Sequence, residues 1–185
     1  MATNLELKVR CSAGDLERVR QSALLAGSGP FSRLSHRDTF FNVPTGRLKL
    51  REIEDGNGEV SVELIGYVRP DNDSAKWSEY HRSSIPVESA KSLRDALSMT
   101  LGITTIVEKR REVAIVMRTR IHLDTVDRLG CFIELETVTA EAFDQTAVVE
   151  LDETKRLLGL DRLDEVPGSY AELSVGEPRI WGESK

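Results

Sequence analysis

Charged side chains recur at every second position along several short stretches of this sequence, a spacing that puts each set on one face of an extended strand. In "NLELKVR" (residues 4–10), Asn4, Glu6, Lys8 and Arg10 lie opposite Leu5, Leu7 and Val9. "RLKLR" sets Arg47, Lys49 and Arg51 opposite Leu48 and Leu50. "RTRIHLD" sets Arg118, Arg120, His122 and Asp124 opposite Thr119, Ile121 and Leu123, and "CFIELE" sets Phe132, Glu134 and Glu136 opposite Cys131, Ile133 and Leu135. "VEKRRE" is polar on both faces, with Lys109 and Arg111 on one side, and in "EVSVELIGYVR" Glu63 shares a side with Arg69. One such strand would ordinarily turn its charges to water. Here Arg and Lys recur over several strands, and the carboxylates Glu6, Asp124, Glu134 and Glu136 gather on three. If the strands close into a barrel, these faces line one polar interior.

Such an interior is costly unless its charges are matched. Lys8, Arg10, Lys49, Arg51, Arg69, Lys109, Arg111, Arg118 and Arg120 outnumber the four carboxylates. The matching ligand is a polyanion with a hard cation. A phosphate chain suits guanidinium forks and ammonium groups, and clustered carboxylates suit Mg²⁺ or Mn²⁺ bridging phosphate oxygens. The sequence has no glycine-rich phosphate loop, which excludes a P-loop NTPase. The basic side chains themselves must hold the ligand.

The elements that would position these residues follow from periodicity. After the first strand, "AGDLERVRQSALLAG" spaces Leu16, Val19, Ala23 and Leu24 as a helix face ending at Gly27. Strands are expected in "SRLSHRDTFFNV", "RLKLREI", "EVSVELIGYVR" and "KWSEYHRSSI", with a turn at "VPTG" and a loop at "PDNDSA". A helix, "VESAKSLRDALSMTLG", closes at Gly102 and precedes strands in "TTIVEKRREVAIV", "RTRIHLDTVD" and "CFIELETV". "DQTAVVELDETKRLLGL" reads as a helix and "PGSYAEL" as a short helical tail. Mostly hairpin connections among eight strands, with peripheral helices, give an α+β class and an antiparallel sheet rather than a doubly wound one.

A chain of 185 residues suits one domain, residues 1–185. A net charge of −6 argues against nucleic-acid binding through a broad basic surface. No run reaches the length of a membrane span, and "MATNLELKVR" has no apolar signal core, so the expected compartment is the cytoplasm. Cys11 and Cys131 fall on the apolar sides of their strands, where inert buried thiols are expected. Trp77, Tyr80 and Trp181 are expected to pack rather than to stack on bases.

The ordered motifs resemble the CYTH superfamily, the triphosphate tunnel metalloenzymes, and most closely its class IV adenylate cyclase branch. "NLELK" stands where that family has ExExK; "DTFFNVPTGRLKLRE" is similar to its D-x-[YF]-[FY] strand and the basic strand that follows. "ELIGYVRPD" and "KWSEY" resemble elements of the cyclase branch, "EKRR" supplies a Lys-x-Arg pair, "RIHLDTVDRLGCFIELE" is the most recognisable run, and "GSY" resembles a C-terminal Ser-Tyr. The resemblance implies an eight-stranded antiparallel β-barrel, a tunnel holding a linear triphosphate, with Mg²⁺ or Mn²⁺ required. It implies a metal side of Glu6, Asp124, Glu134 and Glu136. The triphosphate side would be Lys8, Arg10, Lys49, Arg51, Arg69, Lys76, Lys109, Arg111 and Arg120, with Lys76 added by the motif alone. Asn4 departs from the signature, since an amide oxygen ligates without bringing charge.

Two chemistries suit one tunnel: attack of the ATP 3′-hydroxyl on the α-phosphorus with loss of pyrophosphate, or hydrolysis of an inorganic, nucleoside or thiamine triphosphate. A non-catalytic polyphosphate or nucleotide sensor is the third reading. Glu134, Glu136 and Lys8 are the expected catalytic residues, and His122 is either a base or a structural hydrogen-bonding residue. Ser169 and Tyr170 would close one tunnel end, and a homodimer would suit the cyclase branch.

Overall fold

The computed structural model describes residues 2–68, 76–139 and 144–175. Its strands are β1 (Ala2–Cys11), β2 (Ser32–Phe41), β3 (Arg47–Asp55), β4 (Val60–Val68), β5 (Lys76–Ile85), β6 (Ile103–Val116), β7 (Thr119–Val126) and β8 (Gly130–Thr139). Around them run α1 (Ala13–Leu25), α2 (Val87–Leu101), α3 (Gln145–Leu157) and the short α4 (Tyr170–Val175). Every strand pairing is antiparallel, and the order β1-β5-β4-β3-β2-β6-β7-β8 closes on itself as a barrel. Among the described residues no helix is long and apolar enough to cross a membrane.

Alternation along each strand divides the barrel into two environments. Leu5, Leu7 and Val9 point outward and join Ile121, Leu123, Ile133 and Leu135 beneath Leu16, Val19 and Ala23 of α1 and Leu151 of α3. On the opposite wall α2 covers Phe41, Leu50 and Val62 through Ala90, Leu93 and Leu97. The apolar core therefore lies between barrel and helices, leaving the charged phase to face inward. α1 begins at a capping box in which Ser12 and Asp15 bond each other's backbone. Its buried face is narrower than expected, because Leu24 is 42% exposed.

Two local features shape the ends. Gly46 has φ 66°, and a Cβ there would stand 2.9 Å from the Tyr67 carbonyl oxygen, so the turn into β3 needs glycine. β5 pairs with β1 only as far as Glu6 opposite Lys76. Beyond that point the segment after α3 takes over the open edge: Arg10 N–H donates to the Asp164 carbonyl (3.1 Å) and Val166 N–H to the Lys8 carbonyl (2.9 Å). This strap delivers Gly168, Ser169 and Tyr170 to the barrel interior.

Cys11 and Cys131 are half-buried rather than buried and face each other across the β1–β8 ladder. Burial pushes the Cys11 thiol up to about 12, so it stays protonated and unreactive.

Candidate active site

The interior cavity is lined by the basic side chains Lys8, Lys49, Arg51, Arg82, Lys109 and Arg111 and the carboxylates Glu6, Asp38, Glu134 and Glu136. Register explains the grouping. Glu6 pairs with Glu136 and Lys8 with Glu134 across β1–β8, while His122 of β7 stands opposite Glu134. Arg51 pairs with Asp38 across β2–β3. Residues distant in sequence thus become neighbours on consecutive rungs.

The buried cations are held by two aspartates. Asp38 accepts from Lys49 Nζ (2.9 Å) and takes a two-pronged bond from Arg51 (2.7 Å each). Asp124, with no exposed surface, accepts from Lys109 (3.2 Å), from two nitrogens of Arg111 (2.6 and 2.5 Å) and from the Tyr170 hydroxyl (2.9 Å). Lys8 donates to the Gly168 carbonyl (2.6 Å), lies 3.4 Å from Glu134 and stacks 4.3 Å from the centre of the Tyr170 ring. Arg111 also bonds Glu134.

Burial and these charges reset the protonation equilibria. Burial would raise Asp38 and Glu134, but Arg51 and Lys49 at the first and Arg111 and Lys8 at the second outweigh it, holding both well below the usual carboxylate range. Lys49 is pushed down to about 7 by burial and by Arg51, and Lys109 to about 8 by burial and by Arg111. His122 is also lowered, by burial and Arg111, with Glu134 opposing.

The remaining expected positions are distributed as follows. Glu6 accepts a hydrogen bond from the Tyr80 hydroxyl, and Asn4 donates its amide N–H to Glu136. Arg10 is exposed and turned out of the cavity: its guanidinium donates to the Leu129 carbonyl (2.9 Å) and covers the Phe132 ring at 4.8 Å. Phe132 and Tyr170, packed edge to face at 5.0 Å, fill the interior at that level instead. Arg120 sits 3.3 Å from Glu136 and is 40% exposed, outside the cavity lining. Arg118 leaves the inward series altogether, because it sits with Met117 in the two-residue turn between β6 and β7 rather than on a strand, and its guanidinium bonds Glu150 of α3. Arg69 and Trp181 lie outside the described residues; for Lys76 only the strand position, opposite Glu6, is described.

Of the expected metal side, Asp124 is enclosed by four donor atoms from Lys109, Arg111 and Tyr170, and Arg111 links it to Glu134. Glu6, Glu134 and Glu136 offer hard oxygen donors on adjacent positions, which suits Mg²⁺ or Mn²⁺ by donor chemistry. As placed they do not yet converge: among the described residues no three His, Cys, Asp or Glu side chains come close enough to hold a metal ion.

The CYTH domain family matches residues 2–170 of this chain. The chain belongs to that family. Among solved structures, the PH1819 protein of Pyrococcus horikoshii OT3 aligns with a TM-score of 0.72 and 24% identity, over 93% of this chain and 98% of its own. A candidate adenylate cyclase from Vibrio parahaemolyticus gives 0.63 and 22%, over 94% and 98%. A candidate adenylyl cyclase from Hippeastrum, described as having a dominant triphosphatase activity, gives 0.65 and 15%, over 97% and 98%. These likenesses concern the fold. No curated protein matches the chain.

Several residues of this CYTH barrel escaped the reading of charged runs. Asp38 lies in "HRDTFF", where it shares its phase with His36 and Phe40; the mixed types on that face concealed the series. Tyr67 and Tyr80 line the cavity and stack with ring centres 5.4 Å apart, so the packing expected of Tyr80 is made inside the barrel. Glu63 stands opposite Arg51 across the β3–β4 ladder. Among the described residues, with Asp38 counted and Arg10, Arg118 and Arg120 outside, the interior excess of positive charge is smaller than the sequence suggests.

Proposed function

We infer that the barrel interior binds a linear triphosphate together with Mg²⁺ or Mn²⁺, and that the protein is an enzyme acting on it, in the first reading by converting ATP to cyclic AMP and pyrophosphate. The supporting observation is the cavity wall itself: six basic side chains face Glu6, Glu134 and Glu136 inside one barrel. Lys49, Arg51, Lys109 and Arg111 would bind and orient phosphate oxygens, with Lys8 joining that cationic side to the glutamates. The metal would be held by Glu6, Glu134 and Glu136 and would neutralise charge on the phosphoryl oxygens. Glu134 stays ionised beside Arg111 and Lys8, and so remains available to accept a hydrogen bond from the attacking hydroxyl or water.

The stacked Tyr67–Tyr80 pair favours a nucleotide, because it adds aromatic surface to a wall of phosphate-binding groups. The predominance of charged side chains around the rest of the cavity favours the second reading, hydrolysis of an inorganic or organic triphosphate. The test is incubation with ATP or tripolyphosphate plus Mg²⁺ or Mn²⁺. Cyclic AMP with pyrophosphate supports cyclisation, and orthophosphate supports hydrolysis. Tight binding without turnover would make the protein a sensor. Lys8→Met and Glu134→Gln are expected to lose at least tenfold in turnover; unchanged binding and turnover in both would refute the tunnel reading.

A further inference from the structure

His36 occupies the inward phase of β2, two residues before Asp38, with Lys109 of β6 and Ile53 of β3 as its ladder neighbours; it lies beyond the lining of the interior cavity and borders a second cleft that Lys109 also lines. It is 6% exposed, yet neither ring nitrogen has a hydrogen-bond partner among the described residues. A buried polar group without a partner is costly, and an apolar residue would fill this position more cheaply. The charged groups acting on it are Asp38 from its own strand, Arg51 from β3, and Lys109 and Arg111 from β6, the last two held by Asp124 of β7. Asp38 already accepts from Lys49 and both prongs of Arg51, leaving His36 to face a cluster of cations.

We propose that His36 is a substrate-binding residue, donating a ring N–H to a phosphate oxygen held by Lys109, the side chain common to the interior cavity and the cleft beside His36. The assignment rests on the triphosphate reading and adds a neutral donor to it. Burial and then the three cations push the imidazole down to about 2, so it is uncharged at neutral pH and keeps one N–H to donate. A fourth cation here would repel the other three. A neutral N–H adds recognition without that repulsion, and an incoming anion supplies the acceptor that is missing among the described residues.

The test is a calorimetric titration of the full chain with tripolyphosphate and Mg²⁺ at pH 7, paired with thermal unfolding of each ligand-free variant. H36F is expected to weaken binding about tenfold, as for loss of a hydrogen bond to a charged group, with an unchanged or higher melting temperature. H36Q, which retains an N–H donor, should recover most of the affinity. H36L gives the same comparison if phenylalanine is not accommodated. Affinity within twofold of the native protein in the apolar variant, or a lower melting temperature at unchanged affinity, would make His36 a structural residue and overturn the assignment. Lys109→Met separates the two levels. If it weakens binding while H36F does not, only the role of His36 falls; if the native protein does not bind tripolyphosphate, the tunnel reading falls with it.

Discussion

Lys49 is a cation whose charge depends on its surroundings. Burial and the adjacent Arg51 push it down to about 7, against the partial restraint of Asp38. In the ligand-free protein it is charged below that value and increasingly neutral above it. A bound polyanion favours the charged form, so binding above pH 7 must take up a proton. Affinity for tripolyphosphate is therefore expected to fall as pH rises from 6.5 to 9, with Lys109, pushed down to about 8, contributing in the upper part of that range. Titrations in buffers of different ionisation enthalpy read the uptake directly, and Lys49→Arg should reduce it because arginine stays charged. A pH-independent affinity would show that the phosphates do not reach these lysines. The lysines themselves were legible from the spacing in "RLKLR" and "EKRR". Their lowered affinity for protons was not, because it arises from burial and from Arg51 and Arg111 brought alongside by strand pairing.

At the scale of elements, the strap after α3 completes the barrel where β5 stops, and Tyr170 is its inward end. The hydroxyl donates to Asp124, the ring lies under Lys8 and 5.0 Å from Lys109, and its edge meets Phe132. Tyr170→Phe keeps the ring and removes one donor from a fully buried carboxylate. It is expected to destabilise the fold by about 1–2 kcal/mol, measured as a lower urea midpoint at constant slope; an unchanged midpoint would show that the bond contributes nothing. The strands and helices on either side follow from two-residue and helical periodicity, as Leu5, Leu7 and Val9 beneath Leu16 and Val19 illustrate. The strap does not, because residues 164–166 are tied to β1 through backbone groups, which leave no mark in side-chain pattern.

Across the whole molecule, the stability of a charge-lined barrel depends on keeping its carboxylates ionised. Asp38, Asp124 and Glu134 are held below their ordinary values, so the unfolded chain binds more protons than the folded one as pH falls through the usual carboxylate range. His36 acts with the same sign: it is neutral when folded and becomes charged when unfolded below its ordinary value of 6.5. Lys49 and Lys109 are protonated in both states well below pH 7 and do not offset this. The urea midpoint is therefore expected to decline steadily from pH 7 to pH 4, and a flat profile would contradict the charge placement. The sequence by itself determined that several strands carry one charged and one apolar face, and that the charged faces share an interior if the strands close into a barrel, because a two-residue period leaves only two faces and the apolar one needs the core. Tertiary structure alone decided which charges line the cavity. Register set Asp38 against Arg51 and Glu6 against Glu136; the turn at Met117 sent Arg118 outward, and Phe132 with Tyr170 displaced Arg10. Those outcomes depend on strand offset, turn geometry and local volume, none of which a residue's spacing along its own strand contains.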